Sequence, residues 1–241
     1  MELKIAAISD THNETPKMPK GADVLIHAGD LTMMGREFEV RKSIDWLKSL
    51  KKRYKKGIIL VPGNHDFLFE DWREGLPKTK RGMELERNFA LAKQLCDDAG
   101  IILLMDQSVE IEGVKIYGSP YSLRFHDWAF NLSPMDSALF WAKNIPKDTN
   151  VLVTHGPPFG IGDLCRGGHV GDSALLELIK SLPDLKMHIY GHIHEGSGVH
   201  WFNNKLFINA SALNEYYQGF NDIHVVSYPS LNIRRFPDES V

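Results

Sequence analysis

Short runs of apolar, mostly β-branched residues recur along the chain, each followed by a polar or glycine-bearing segment. They are Leu3 to Ile8, Val24 to His27, Ile58 to Val61, Ile101 to Leu104, Val151 to Val153 and Met187 to Tyr190. Runs this short, bounded by turn residues, predict buried strands. Between them the apolar residues return at helical spacing. Val40, Ile44 and Leu47 form one stripe, Leu85, Phe89, Ala92 and Cys96 a second, and Leu175, Leu178, Ile179 and Leu182 a third. Ser133-Pro134 predicts the start of a helix running through Trp141, a capping serine followed by proline at the first helical position. Two other apolar stretches, Val109 to Tyr117 and Val199 to Ile208, break at Gly113 and at Asn203-Asn204 and predict hairpins. Alternating strands and helices with added hairpins predict an α/β fold of two packed sheets covered by helices, not a single doubly wound sheet. Cys96, on a helix stripe, is expected in the core.

Composition narrows the class. The chain has 241 residues, 43% of them hydrophobic and 24% charged, which excludes disorder and fibrous repeats and fits one large domain over residues 1–241. Its 28 Lys and Arg against 31 Asp and Glu leave a formal charge of −3, without the basic excess of a protein that wraps duplex nucleic acid. The cluster Lys51, Lys52, Arg53, Lys55 and Lys56 follows a predicted helix end, where cations complement the helix dipole. Two cysteines, Cys96 and Cys165, are too few for a disulfide scaffold or a four-thiolate zinc site. The N-terminal apolar run is shorter than a signal peptide's, and no stretch approaches the ~18 apolar residues of a membrane span. A cytoplasmic protein with no membrane partner is expected. The unusual number is eleven histidines, which directs attention to metal or acid-base chemistry.

Five of those histidines fall directly after predicted strands. The first strand is followed by Asp10-Thr11-His12, the second by Gly29-Asp30, the third by Gly63-Asn64-His65-Asp66, a later one by His155 and the last by Gly191-His192-Ile193-His194. In α/β sheets the segments beyond the C-terminal strand ends share one crevice, where ligands bind. Each segment alone reads first as a capped turn or a satisfied histidine, but five at five strand ends predict convergence. Two Asp, one Asn and four His, without thiolate, suit Mn, Fe, Zn, Co or Ni, and two ions are expected. His27 and His188 lie within strands and are expected to be structural.

This series of motifs resembles the calcineurin-like metallophosphoesterases from position 10 to 194. His27-Ala-Gly-Asp-Leu-Thr, Tyr117-Gly-Ser-Pro, Thr154-His-Gly-Pro-Pro and Gly191-His-Ile-His-Glu-Gly are similar to the metallophosphoesterase-domain (MPPED-type) subgroup. The resemblance implies a four-layer α/β/β/α sandwich of two mixed sheets with a dinuclear site at the sheet edge. It assigns Asp10, His12, Asp30 and His194 to one metal and Asp30, Asn64, His155 and His192 to the other, with Asp30 bridging. It also implies that His65 faces the substrate as the acid, with Asp66 behind it holding the imidazole.

The implied activity is phosphoester hydrolysis by a water made nucleophilic between two cations, with Mn the first expectation and His65 protonating the leaving oxygen. A small phosphodiester such as a cyclic nucleotide is the expected substrate. A nuclease, a phosphoprotein phosphatase and a weakly active metal-bearing scaffold are the alternatives. Arg124 and Trp128, grouped with Tyr121 and His126, and Arg166 with His169 in the loop after His155, are candidates for the substrate wall. Equally, Trp128 and Phe130 read as loop anchors and Arg124 as a surface residue. Cys165 has no thiol partner to make a site.

Overall fold

The computed structural model describes residues 2–72 and 87–236. The first part of the chain lays down four parallel neighbours, β1 (Leu3–Ile8), β2 (Val24–His27), β3 (Gly57–Leu60) and β4 (Ile102–Leu103). The helices between them are α1 (Glu37–Ser49) and α2 (Phe89–Ala99). A second sheet then begins with the hairpin β5 (Gln107–Ile111) and β6 (Val114–Ser119), which turns at Glu112-Gly113 as expected. A two-residue ladder, β7 (Ser122–Leu123) with β8 (Asn131–Leu132), leads into α3 (Pro134–Asn144) and β9 (Val151–Thr154). Another small ladder, β10 (Leu164–Cys165) with β11 (Gly168–His169), precedes α4 (Ser173–Ser181) and β12 (Met187–Tyr190). The second hairpin is β13 (Gly198–Phe202) and β14 (Lys205–Asn209), and Asn203 and Asn204 both take the left-handed φ that a tight hairpin turn requires.

The chain then returns to the first sheet as β15 (Ile223–Tyr228), antiparallel to β1, and β16 (Asn232–Phe236) at the edge. The sheets are therefore both mixed and six-stranded, ordered β16-β15-β1-β2-β3-β4 and β13-β14-β12-β9-β6-β5. The expectation of two packed sheets flanked by helices holds, and the architecture is a four-layer α/β/β/α sandwich. Predicted strand ends shift slightly: β3 begins one residue earlier, although Val61 N still donates to His27 O at 2.9 Å. The pair β15 and β16 was not among the predicted elements, because His224 and Ser227 interrupt their apolar pattern.

Alternation along the strands builds the layers. Leu3, Ile5 and Ala7 point into an inter-sheet core with Ile26, Val61, Val153, Ile189 and Ile208, while Ala6 and Ile8 join Val40, Ile44 and Leu47 of α1 and Ala92 and Cys96 of α2. Leu85, which the sequence pattern assigned to the α2 stripe, lies outside the described residues. Cys96 is fully buried, and burial pushes its thiol up to about 12. Among the described residues no helix is long and apolar enough to cross a membrane.

The second helix layer hangs on one carboxylate. Asp172 caps α4 by accepting from Ala174 N (2.8 Å) and Leu175 N (3.1 Å), and it also accepts from the buried Trp141 indole of α3 (2.7 Å) and Ser137 Oγ (3.3 Å). Removing it loses a helix cap and orphans an indole donor, effects worth about 1 and about 1–3 kcal/mol. Asp172→Ala is therefore expected to destabilise the fold by about 2–3 kcal/mol in denaturant unfolding. A change below about 0.5 kcal/mol, the size of an ordinary surface substitution, would show that the α3–α4 contact does not depend on it.

Candidate metal centre

The strand ends meet as expected. Asp10 and His12 follow β1, Asp30 follows β2, and Asn64, His65 and Asp66 follow β3, while His155 leaves β9 and His192 and His194 leave β12 in the opposing sheet. The two sheets touch here: Ser9 N donates to Ala210 O (2.8 Å) and Ala212 N donates to Ser9 O (2.9 Å), tying the end of β1 to the segment after β14. The loops are sharply bent. Asp10, His12, Asp30 and His192 all have positive φ, between 43° and 71°. Such conformations cost side-chain-bearing residues about 1–2 kcal/mol each and persist only where surroundings enforce them. Glycine is required at two points of contact. A Cβ on Gly191 would overlap the Asp10 carboxylate and Ser9 side chain, and one on Gly63 would lie 2.7 Å from His155 Cε1 and collide with Asp30.

Two groups of donor atoms form around Asp30. One contains Asp10, His12 and His194, with His194 Nε2 3.5 Å from Asp10 Oδ1 and His12 Nε2 3.9 Å from Asp30 Oδ2. The other contains His155 Nε2, 3.3 Å from Asp30 Oδ1, together with Asn64 Oδ1, which lies 2.8 Å from His155 Nε2 and 2.7 Å from His192 Nδ1. The backbone fixes which nitrogens face inward. His155 Nδ1 donates to Ala28 O and His194 Nδ1 to Asn214 O, each at 3.0 Å, which leaves both Nε2 atoms directed at the carboxylates. Asp10 is held by Ser9 Oγ (2.5 Å), Ser211 Oγ (2.9 Å) and His192 N (3.0 Å).

This arrangement fits divalent cations on two observations. Both ring nitrogens of His12 are buried and have no hydrogen-bond partner among the described residues, a costly state for an imidazole unless a ligand completes it. Asn64 Oδ1, an acceptor, sits against two imidazole nitrogens, one of them on a ring whose other nitrogen already donates its proton. Without a cation, that contact requires an imidazolium. The electrostatics agree: burial alone would lower His155 and His194, but Asp30 and Asp10 outweigh it and push both up to about 9. Burial dominates at His12 and His192, which fall to about 4 and stay neutral. Burial would raise Asp10 and Asp30, yet the surrounding histidines hold both well below the usual carboxylate range.

Beneath the site, His27 and His188 are structural as expected. Thr11 Oγ1 pairs with His27 Nε2 at 3.0 Å in one sheet, and Thr154 Oγ1 with His188 Nε2 at 2.8 Å in the other. Burial lowers both histidines to about 3, so they pack as neutral rings.

The expected His65–Asp66 pair is not formed. Asp66 is buried away from the imidazole and accepts from Gly63 N (2.8 Å), Leu31 N (3.1 Å), Thr32 N (2.9 Å) and Thr32 Oγ1 (2.7 Å). It locks the loop after β2 to the loop after β3, and burial together with the Asp30 charge pushes it up to about 6. His65 is held instead by the Met33 carbonyl, 2.6 Å from Nδ1, and by Trp128, stacked on the ring at a centroid distance of 3.9 Å and 24°. His65 Nε2 faces the centre, 3.9 Å from Asp30 Oδ2.

A cavity of about 400 Å³ opens over the centre. Its wall differs from the expected one. Arg124 lines it, although its guanidinium donates to Asp127 at 3.0 Å, whereas Arg166 and His169 do not. His169 instead pairs with buried Asp163 at 2.6 Å, and the same loop contributes Cys165 and Val170. Tyr121 is buried against Phe130 and Phe140, so it is core, and His126 packs on Phe125 outside the lining. Trp128 reaches the site through His65 and does not line the cavity. Sequence reasoning missed Phe125 and Tyr217, whose rings approach His192 (5.9 Å) and His12 (4.9 Å), and the carbonyls of Met33 and Asn214. Asn209 and Ser211, at and just after the end of β14, carried the same signal as the other strand ends.

Cations entering this centre must displace the protons on His155 and His194. Both rings are charged below about 9, so metal loading near pH 7.5 is expected to release about two protons per chain, with affinity rising as pH approaches 9. Calorimetry in buffers of different ionisation enthalpy measures this. Buffer-independent heats would contradict the protonated ion-free state.

Comparison with known proteins agrees with this geometry. A family model described as calcineurin-like phosphoesterase matches residues 3–196. Human metallophosphoesterase domain-containing protein 1 is 35% identical over 94% of this chain and 71% of its own length. A UPF0046 protein of Caenorhabditis elegans is also 35% identical, over 88% of this chain and 57% of its own. The fold is similar to that of phosphopantetheinyl hydrolase from Mycobacterium tuberculosis, with a TM-score of 0.53 at 19% identity over 100% of this chain and 98% of that one. Motifs, fold and family match together place this chain in the calcineurin-like phosphoesterases, hydrolases of phosphoester bonds that depend on a dinuclear divalent-metal site.

Proposed function

We propose that this chain is a phosphodiesterase for small, singly charged diesters, cyclic nucleotides among them. One metal would be held by Asp10, His12, Asp30 and His194 and the other by Asp30, Asn64, His155 and His192, with Mn or a similar borderline ion suited to the nitrogen and oxygen donors. When bound, such ions supply positive charge to phosphate oxygens and lower the pKa of water. The observation that carries the diester reading is the charge of the cavity wall. Beyond the donor residues it offers Leu123, Phe125, Val170 and Tyr217, two carboxylates, Glu195 and Glu215, and one guanidinium already held by Asp127. A wall of that kind repels a polyanion and accepts an uncharged ester substituent. The two free cysteines agree with a reducing, cytoplasmic setting.

His65 is the proton donor in this reading. Its Nδ1–H donates to the Met33 carbonyl, so Nε2 alone is left facing the centre; as an imidazolium the ring would hold there the proton that the leaving oxygen takes, and Trp128 restricts the ring to that direction. Asp66 acts one step away, by fixing the loop from which His65 projects.

His65→Ala is expected to slow an alkyl or ribose diester by about 10²–10⁴-fold and a p-nitrophenyl diester far less, since nitrophenolate leaves without a proton. Trp128→Leu should reproduce the same selectivity more weakly, with kcat falling and KM little changed. Equal losses on both esters, with both metals still bound, would mean that His65 orients phosphate and is not the acid. Salt-sensitive, submicromolar binding to DNA with cleavage would favour the nuclease reading.

A further inference from the structure

A second cavity, of about 510 Å³, backs on to the metal centre and is lined by Ser197, His200, Phe220, Asp222, His224 and Arg235. The two sites share a wall. Ser197 Oγ and Asn221 Nδ2 both donate to the Ser211 carbonyl, at 2.9 and 3.0 Å, and the Ser211 hydroxyl donates to Asp10 at 2.9 Å. Nothing in the hydrolytic chemistry uses the groups on the far side of that wall.

Two of these groups make no hydrogen bond or ion pair through their side chains among the described residues. His224 is only 4% exposed, yet among the described residues no group hydrogen-bonds to its ring. Its ring lines the cavity, where a ligand oxygen can reach it. Arg235 stands opposite His224 in the β15–β16 register and makes no ion pair among the described residues. Burial, with Arg235 beside it, keeps the His224 ring below its usual range and so neutral, able to donate one N–H. Asp222, at the entry to β15, supplies an acceptor for a ligand hydroxyl.

We propose that this cavity binds a small hydroxylated oxyanion, a phosphate monoester or a carboxylate, with the oxyanion on Arg235 and His224 and a hydroxyl on Asp222. A guanidinium recognises both kinds of oxyanion in the same planar geometry. The single carboxylate at the rim favours a ligand that brings a hydroxyl donor over a bare oxyanion.

The test uses the full chain, zinc-loaded and labelled at its histidine rings, with the His224 Cε1–H resonance assigned from His224→Gln. Glycerol 3-phosphate and glycerate, which share a hydroxylated skeleton, are titrated separately. A saturable shift of the His224 resonance is expected for at least one of them, and the tighter probe identifies phosphate or carboxylate as the ligand chemistry. Arg235→Gln, on the exposed edge strand, should weaken that binding by about tenfold or more and leave ligand-free turnover unchanged. Shifts confined to the metal-centre histidines would overturn the proposal, as would no saturable shift with either probe or equal affinity in Arg235→Gln.

Discussion

The structure depends on one carboxylate, Asp30, being shared by imidazoles that leave two different sheets. Its oxygens lie 3.3 Å from His155 and 3.9 Å from His12 and His65, with no room for a bulkier residue at Gly63 behind it. To bring those groups together, the ends of β1, β2, β3, β9 and β12 must reach the same level. The backbone tie between Ser9 and the segment after β14 sets that level. The left-handed conformations at Asp10, His12, Asp30 and His192 are the local cost of the convergence. Cations bound by the folded state and not by the unfolded chain would offset it.

The supporting residues follow the same logic. Each sheet carries a threonine–histidine pair beneath the site, Thr11 with His27 and Thr154 with His188, which fills the space under the ligands with rigid, neutral groups. Asp66 joins two loops through four donors and does not reach the imidazole beside it in sequence. The orientation of His65 falls to a carbonyl and an indole from distant segments. That division separates the integrity of the loops from the direction of the proton donor, and it predicts different phenotypes for the two neighbouring residues.

Most of the architecture was legible because the strands are uninterrupted apolar runs and the helices carry clean stripes. The candidate ligands were legible for a related reason: a polar residue immediately after a buried strand has few roles other than a turn or a site. The reading ended where those signals weaken. His224 broke the apolar run of β15, and Asn214, Met33 and Ser211 act through backbone atoms or a short hydroxyl that any sequence position could supply. The substrate wall was the least legible part. Arg166 and His169 sit in the expected loop, but the turn directs Cys165 and Val170 inward, and side-chain direction in an irregular loop has no period to read. For Asp66 the resemblance implied a partner of His65, whereas the carboxylate turns to the backbone of Gly63, Leu31 and Thr32.

The sharing of Asp30 is tested most directly by anomalous diffraction from crystals of manganese-loaded protein. Two peaks per chain are expected, one among Asp10, His12, Asp30 and His194 and one among Asp30, Asn64, His155 and His192, with the Asp30 carboxylate between them. A single peak, or two peaks of which only one touches Asp30, would contradict the account.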